Sequence, residues 1–343
     1  MKPLIKQTIV IIGPTASGKS DLAILLARQY NGEIISADSR QIYRGMDIGT
    51  GKVTRDSVVS HPELVEGSSD SVTHHPQPAS ALQKKSTQET YFSEGIRHHL
   101  IDIASPKRTY NVTHFVRDGL RALADIKKRG KTPIICGGSG FWIQALIDNQ
   151  SFPAVKPDIK LRKALGKLSA ETLFAKLQKQ DPKRAETIDA KNKVRLIRGL
   201  EICASLGTVP TPTKNWELGM KNQEYILIAL NPDKTVLEKN ITVRLKKRLQ
   251  QGMLEEVARL HEKDGVSWKR LESFGLEYRS CAQFLQQKIS REAMEEELLR
   301  DIKHYAKRQI TWLRRFEKMG ADIHWITDAR EAIKIVEKNT HNL

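Results

Sequence analysis

Residues 13–20 read Gly13-Pro14-Thr15-Ala16-Ser17-Gly18-Lys19-Ser20, and this stretch decides the fold class of the 343-residue chain. It fits the pattern G-x-x-x-x-G-K-[ST] and lies between a β-branched run, Thr8–Ile12, and a segment with helical apolar spacing, Asp21–Tyr30. In such a strand–loop–helix unit, backbone N–H groups and the helix N-terminus surround phosphate oxygens. The Lys19 ammonium adds positive charge, and the Ser20 hydroxyl is a ligand for Mg²⁺. This stretch, which we call the P-loop, predicts binding of a di- or triphosphate but does not indicate which reaction the protein catalyses.

Further strands are predicted on both sides of a helical stretch from Thr113 to Arg129. They are Glu33–Ala37, His99–Ile103, Pro133–Cys136 and Tyr225–Leu230. Alternating strands and helices indicate an α/β fold with a parallel sheet, in which ligands bind beyond the carboxyl ends of the strands. Asp38 and the Gly137–Gly140 loop, which contains Ser139, follow two of these strands, so both are expected near the P-loop. From the residues alone, Asp38 is a helix cap, a Mg²⁺ ligand or a catalytic base, and a kinase is not excluded.

The chain is predicted to form two domains. Residues 1–150 and 206–343 form the P-loop α/β core, which is helical to about Lys318 after the last strand, and the basic segment 151–205 is an inserted helical domain. Residues 53–95 are rich in Ser, His, Pro and Gln and are predicted to be a mostly disordered surface insertion. Its histidines, His61, His74 and His75, lack a second ligand cluster with metal spacing, which disfavours a metal site.

Composition limits the class of partner and the compartment. The net charge is +17 at pH 7, most of it contributed after residue 150. This surplus suggests a polyanionic partner, nucleic acid rather than a membrane, and charge alone leaves open a basic protein without such a partner. The cysteines, Cys136, Cys203 and Cys281, form no CxxC pair, which indicates a reducing compartment without a disulfide framework or structural zinc. No apolar run approaches the roughly 20 residues of a membrane span, and no signal peptide is seen. We expect a cytoplasmic protein.

Several segments, taken together and in order, resemble the tRNA dimethylallyltransferase (isopentenyltransferase) family. They are GPTASGKS at 13–20, ISADSRQIYRGMDIGT at 35–50, HHLID at 98–102, GGSG at 137–140, RLIRGLE at 195–201, FGLEYR at 274–279 and KRQITWLR at 307–314. The P-loop alone is shared with many NTPases, whereas this combination is specific. The match runs from about residue 8 to 316 and is broken chiefly by the insertion at 53–95.

The resemblance implies a fold, a donor and an acceptor. The fold is a nucleoside-kinase-like α/β core with a helical insertion domain that grips the anticodon arm. The donor is dimethylallyl diphosphate, held by the P-loop together with Mg²⁺. The acceptor is the adenine on the 3′ side of the anticodon in tRNAs that read codons beginning with U. We expect a monomer.

The resemblance also implies roles for individual residues. Asp38 matches the general base, and Ser139 matches a threonine whose hydroxyl contacts the donor diphosphate. The chemistry agrees, because an adenine amine is a weak nucleophile and a positioned carboxylate contributes about 10²–10⁴-fold. The departing diphosphate requires stabilisation, which Lys19, Ser20, Mg²⁺ and the P-loop backbone supply.

The acceptor base must leave its stack to reach such a site. Asp38, Ser39, Arg40 and Gln41 match the segment that reads it. The resemblance extends tRNA contact to Ser139, Lys160, Val194, Arg195, Leu196, Ile197, Arg198, Gly275, Tyr278, Arg279, Lys307, Arg308, Gln309, Trp312 and Arg314. A basic stripe at helical spacing, formed by Lys303, Lys307, Arg314 and Lys318, is interpreted as a phosphate contact rather than a solvated helix face.

Three features depart from the family pattern. Counted back from Gly252, the arginine that the family uses on the donor diphosphate aligns with Asn240, and Arg244, one helical turn on, is the alternative. Gly51 replaces the usual alanine. The carboxyl-terminal zinc finger of the longer relatives is not found.

Three other functions are weighed. A relative that prenylates free AMP, ADP or ATP would share the P-loop and Asp38 but would not need the basic helical segments. A nucleoside or small-molecule kinase would transfer phosphate from ATP. A non-catalytic RNA-binding protein would not need the intact P-loop.

Overall fold

The computed structural model describes residues 5–57, 90–211 and 224–340. Seven strands form one sheet: β1 Thr8–Ile12, β2 Gly32–Ser36, β3 Tyr91–Ser93, β4 Ile96–His99, β5 Thr132–Gly137, β6 Tyr225–Leu230 and β7 Ile323–Ile326. Their order is β3-β4-β2-β5-β1-β6-β7. All neighbouring pairs are parallel except the hairpin β3–β4, which is antiparallel. The predicted α/β class with a parallel sheet is confirmed.

The predicted strand His99–Ile103 is wrong in position. The structure places it at Ile96–His99 rather than His99–Ile103, because Leu100 and Asp102 adopt left-handed φ angles of 62° and 57° that end the extended backbone. The end of the predicted insertion 53–95 is also wrong, since β3 and the turn after it belong to the sheet. The middle of that insertion, residues 58–89 with its three histidines, lies outside the described residues.

Thirteen helices lie among the described residues. They are α1 Lys19–Gln29, α2 Val112–Lys128, α3 Gly140–Ile147, α4 Ile159–Gly166, α5 Ala170–Gln180, α6 Pro182–Thr187, α7 Lys193–Leu206, α8 Lys234–Gln250, α9 Met253–Glu262, α10 Trp268–Ser273, α11 Leu276–Leu285, α12 Arg291–Lys318 and α13 Ala329–Thr340. The chain divides into two compact units, one of Met1–Ile147 with Trp216–Leu343 and one of Asp148–Asn215. Helices α4–α7 lie in the second unit.

Both faces of the sheet are buried in the first unit. Along β1, Val10 and Ile12 pack into one apolar cluster with Phe115, and Ile9 and Ile11 pack into the cluster on the opposite face. Strands covered on both faces have continuous apolar sequences rather than alternating ones, as the run TIVII of β1 does. A third cluster joins α8–α12, with buried residues that include Met253, Tyr278 and Leu298.

The second unit has its own small core. It contains the buried residues Leu165, Leu173, Leu177, Leu196 and Leu200. Side chains cap all four of its helices, because Asp158, Ser169, Asp181 and Asn192 each accept a hydrogen bond from a backbone N–H in the first turn. No helix in the described part of the chain is long and apolar enough to cross a membrane.

Candidate active site

The carboxyl ends of three adjacent strands bring three loops together. The P-loop follows β1, Asp38 lies just beyond β2, and the loop 137–140 follows β5, with Ile12 opposite Gly137 and Ser36 opposite Cys136 in the sheet register. A cavity of about 70 Å³ lies between them. Its lining includes Thr15, Lys19, Ser20, Ser36, Asp38, Gln41, Gly51, Cys136, Gly137 and Arg244. Residues predicted to bind a phosphate and the predicted carboxylate therefore face one cavity.

Cations characterise the P-loop side of the cavity, and the P-loop itself contains an unpaired hydroxyl. The Lys19 Nζ atom donates to the Pro14 carbonyl oxygen at 3.0 Å, and the Arg244 guanidinium donates to the Thr15 hydroxyl. Burial lowers the pKa of Lys19, and repulsion from Arg244 adds to this effect. The buried Ser17 hydroxyl has no hydrogen-bond partner among the described residues. Buried positive charge beside an unsatisfied donor suits an anionic ligand.

The Asp38 carboxylate is oriented by its own loop. Its Oδ1 atom accepts hydrogen bonds from the backbone N–H groups of Arg40, at 2.8 Å, and Gln41, at 3.4 Å. These bonds form a side-chain-closed turn, and no helix begins at this point, so Asp38 is not a helix cap. The Oδ2 atom accepts no hydrogen bond from the residues that the structure describes.

The loops that carry Ser39, Gln41 and Ser139 are tied to one another. The backbone N–H of Ser39 donates to the Ser139 hydroxyl oxygen at 3.3 Å. Gln41 accepts from the Ser36 hydroxyl at 2.9 Å and donates to the Gly51 carbonyl at 3.2 Å. These bonds fix the Asp38 loop against the wall of the cavity.

A buried carboxylate joins two guanidinium groups behind this loop. Glu277 accepts from Arg40 at 2.7 Å and from Arg248 at 3.1 Å. Sequence analysis gave no role to Glu277 or Arg248. The position of Glu277 inside the motif FGLEYR could have indicated a role for it. Arg248 belongs to the basic run of α8, and such a run is typical of a solvated helix face.

A second buried carboxylate, also missed from sequence, holds the loop 47–51. Glu256 accepts backbone N–H bonds from Asp47 and Ile48, both at 2.7 Å, and from Gly49 at 3.0 Å. It also accepts a bond from the Tyr278 hydroxyl at 2.8 Å. Four donors on one carboxylate fix this loop as a wall of the cavity.

Three residues predicted to contact tRNA are placed inside the protein, so these predictions are corrected. Gln309 accepts from the Thr15 N–H at 2.8 Å and donates to the Gly138 carbonyl at 2.9 Å, and it thereby joins two of the loops. A Cβ on Gly138 would lie 2.2 Å from the Gln309 amide nitrogen, which explains the glycine. Tyr278 and Leu196 are fully buried. In each case helical periodicity turns the side chain to the inner face.

The other predicted tRNA-binding residues lie at or near the surface of each unit. In the first unit, Lys307, Arg308, Arg314 and Arg279 are exposed, and the first two line a surface groove on α12 together with the half-buried Trp312. Gly275 directly precedes α11 as its N-cap residue. The stripe residue Lys303 pairs with Glu238 at 2.9 Å.

In the second unit, Lys160, Val194 and Arg195 are exposed and Ile197 is half-buried. Arg198 donates to Glu201 at 2.5 Å and to the Val155 carbonyl at 3.0 Å. Its guanidinium is therefore held in place within the unit.

The structure distinguishes the two candidates for the arginine at the P-loop. Arg244 contacts the Thr15 side chain and lines the cavity. Asn240 donates only to the Ala16 carbonyl, at 3.5 Å. Of the two, Arg244 is the one that brings a positive charge to the cavity.

A P-loop and a strand-end carboxylate on the same cavity of a parallel sheet define a P-loop α/β enzyme. The sequence model of the IPP transferase family matches residues 81–316, and that of the isopentenyl transferases matches residues 6–63. The chain is 36% identical over 329 residues to tRNA dimethylallyltransferase 1 of Geotalea uraniireducens, covering 95% of this chain and 94% of the relative. It is 38% identical to tRNA dimethylallyltransferase 2 of Shewanella sediminis, with coverage of 93% and 92%. The chain belongs to the tRNA dimethylallyltransferase family, which is a family of prenyltransferases.

Solved structures agree with this assignment. The tRNA isopentenylpyrophosphate transferase of Bacillus halodurans superposes with a TM-score of 0.63 at 27% identity, covering 98% of this chain and 99% of that one. A eukaryotic dimethylallyltransferase acting on tRNA superposes with a TM-score of 0.71 at 25% identity, covering 98% of this chain and 80% of that one.

Proposed function

We propose that this chain transfers a dimethylallyl group from dimethylallyl diphosphate to the exocyclic N6 amine of a tRNA adenine. The acceptor is the adenine next to the anticodon on its 3′ side, in tRNAs that read codons beginning with U. The observation that carries the proposal is the position of Asp38 opposite the P-loop across one cavity. The names of the relatives support tRNA as the acceptor.

The residues divide the reaction between two sides of the cavity. As the amine nitrogen bonds to the first carbon of the prenyl group, that carbon releases the diphosphate oxygen with its electron pair. The free Oδ2 atom of Asp38 takes the proton from the amine. The hydrogen bonds from the backbone N–H groups of Arg40 and Gln41 to Oδ1 orient the carboxylate for this step. Lys19, Arg244 and the backbone of residues 13–20 stabilise the negative charge of the leaving diphosphate. In this scheme Ser139 orients the Asp38 loop and contacts the donor.

The residues at the cavity fit a magnesium ion that binds with the donor. Ser20 and Asp38 offer hard oxygen ligands to the same cavity, and the described residues contain no group of three or more His, Cys, Asp and Glu side chains that could hold a metal alone. Mg²⁺ typically binds through one or two protein oxygens plus substrate phosphates. Ser20 would hold the ion, which would supply charge neutralisation at the diphosphate.

Both units supply residues for tRNA binding in this proposal. In the first unit these are Ser39, Arg40 and Gln41 near the acceptor base and the exposed cations of α12. In the second unit they are Lys160, Val194, Arg195, Ile197 and Arg198, so 151–205 acts as the anticodon-arm domain. Arg40 has a clear position for this task, because Glu277 fixes its guanidinium beside the Tyr305 ring. One copy of the chain supplies every group, which supports a monomer, and a tRNA substrate supports the cytoplasm as the site of action.

The test is transfer of labelled prenyl from dimethylallyl diphosphate, with Mg²⁺, to bulk tRNA and to AMP in parallel. Label in tRNA and none in AMP is the expected result. Label in AMP alone would assign the chain to mononucleotide prenylation. Label in neither, together with phosphate transfer from labelled ATP, would make it a kinase.

A further inference from the structure

The wall of the cavity at Gly51 is shaped around a buried arginine. Gly51 lines the cavity and has a left-handed φ of 62°. A Cβ atom at this position would lie 1.7 Å from the Nη2 atom of Arg248, so no side chain fits while Arg248 keeps its place. A methyl group at this position would therefore collide with the guanidinium.

The Arg248 guanidinium is held rigidly, and its charge is only partly neutralised. It is buried and donates to the Gly49 carbonyl at 3.3 Å and to Glu277 at 3.1 Å. Glu277 is shared with Arg40, and the Asp38 carboxylate is a second negative charge that acts on both guanidinium groups. These two carboxylates face four cations, Lys19, Arg40, Arg244 and Arg248. Burial lowers the pKa of Arg248, attraction to Glu277 opposes this, and repulsion from Arg40 adds to it.

The surplus charge adds to a set of cations at the donor end of the cavity. Arg248 follows Arg244 by about one turn of α8, so the two side chains lie on the same face of that helix. Burial and repulsion from Arg248 both lower the pKa of Arg244. Cations that are brought together inside a protein without enough carboxylates repel each other, and an arriving polyanion relieves that repulsion. Inorganic diphosphate has the charge and size to do so.

Resting on the function proposed above, we propose that Gly51 and Arg248 are a matched pair. Because Gly51 has no side chain, the Arg248 guanidinium can lie directly behind the wall of the cavity. From there its positive charge stabilises the diphosphate of the donor. Arg248 is a positioning residue in this arrangement, because it acts from behind the wall formed by Gly49 and Gly51.

The test uses inorganic pyrophosphate with Mg²⁺ as the ligand, titrated calorimetrically into the full chain and its variants. Arg248→Met keeps an unbranched apolar stem and removes the charged guanidinium, and Gly51→Ala adds the colliding methyl group. Each should weaken pyrophosphate binding at least about tenfold, the effect of losing one charge-assisted interaction. The double variant should bind within about threefold of Arg248→Met, since the methyl then displaces nothing. Effects that multiply in the double variant would refute the pairing.

Two further variants separate charge from packing. Arg248→Lys keeps the charge and should bind pyrophosphate more tightly than Arg248→Met, whereas equal binding would mean that Arg248 only fills space. Lys246→Met makes the same change of charge at an exposed position of α8 and should leave binding unchanged. Thermal unfolding of each variant checks that it is folded. If the wild type binds pyrophosphate but transfers no prenyl group, the proposed reaction fails and the matched pair is judged on binding alone.

Discussion

The two oxygens of the Asp38 carboxylate have different surroundings, because only Oδ1 accepts hydrogen bonds from the backbone. A single substitution can therefore test the role of Asp38 as a base without removing these bonds. Asp38→Asn keeps an oxygen for the backbone N–H bonds of Arg40 and Gln41 but cannot accept the proton of the amine. We expect turnover to fall at least about 100-fold. Single-turnover prenyl transfer to tRNA measures the effect.

The matched control is Ser39→Ala, which removes a half-buried, uncharged hydroxyl from the same loop and keeps the Ser39 N–H that donates to Ser139. Both variants should bind tRNA within about threefold of wild type, because neither changes a positive charge. Near-normal turnover of Asp38→Asn would remove Asp38 as the base.

For single residues, sequence predicted a position at the cavity when the residue directly follows a strand. It was less successful for residues inside helices. The P-loop and Asp38 face one cavity because parallel strands end at the same edge of a sheet. Gln309, Tyr278 and Leu196 came from contiguous motifs, whose residues alternate between the inner and outer faces of a helix. Arg248 was missed because a basic run does not reveal which of its members is buried.

The Glu201 carboxylate, which is 1% exposed, is the main buried hydrogen-bond acceptor of helix α7. It accepts from Arg162 at 2.7 Å, from Arg198 at 2.5 Å and from the Asp158 N–H at 2.7 Å. Glu201→Ala leaves these donors without their acceptor, so we expect a loss of about 1–3 kcal/mol in the free energy of unfolding. Urea unfolding measures it, and the exposed Glu186→Ala is the control.

The contribution of Glu201 should also depend on pH. Burial alone would raise its pKa, but the hydrogen bonds from Arg162, Arg198 and Asp158 lower it from 4.5 to about 2. The stabilisation is thus complete above pH 4.5 and is lost as the pH falls from 4.5 toward 2. Glu33 has a pKa of about 2 for similar reasons, so the difference between wild type and Glu201→Ala isolates Glu201. A difference that stayed constant over this window would contradict the assignment.

Elements were predicted from sequence where apolar runs and turns coincide. β1 and β6 have the predicted bounds because each is a short apolar run covered on both faces. β4 was displaced because its sequence, IRHH, is polar, while the apolar residues after it adopt turn conformations. The hairpin partner β3 was missed since three residues carry too little periodicity to detect.

At the scale of the whole molecule, hydrogen bonds join the residues on either side of the segment 58–89. The N–H of Asp56 donates to the Phe92 carbonyl at 2.9 Å, and its carboxylate accepts from the N–H groups of Glu94 and Gly95, both at 2.8 Å. Replacing 58–89 by a short glycine–serine linker should therefore keep prenyl transfer within about threefold of wild type, because loop length affects stability only weakly. Complete loss of activity in a folded variant would refute the prediction that this segment is a dispensable insertion.

The net charge of +17 predicts a strong dependence of tRNA affinity on salt. We expect the dissociation constant to rise at least about tenfold between roughly 50 and 200 mM salt. The double variant Lys307→Ala, Arg314→Ala on α12 should reduce the slope of the logarithmic plot by up to about 2. The same change at Lys127 and Lys128, exposed on α2, is the control. Equal slopes for both double variants would contradict tRNA binding along α12.

The order of strands is a property of the whole molecule that sequence did not provide. Alternation of strands and helices indicated a parallel sheet, but β1 lies between β5 and β6, and nothing local to these segments specifies such partners. Pairing over this distance depends on which apolar faces can be covered together once the chain is compact.

The position of β1 also has a consequence for synthesis of the chain. β5 is complete at residue 137, whereas β6 begins only at residue 225, after the compact unit Asp148–Asn215 has been made. While the ribosome translates that unit, the edge of β1 that later pairs with β6 has no partner, and an open apolar strand edge is a template for other chains. Incomplete chains that end before β6 should therefore aggregate, and the speed of translation through the inserted unit sets how long each nascent chain is exposed to that risk.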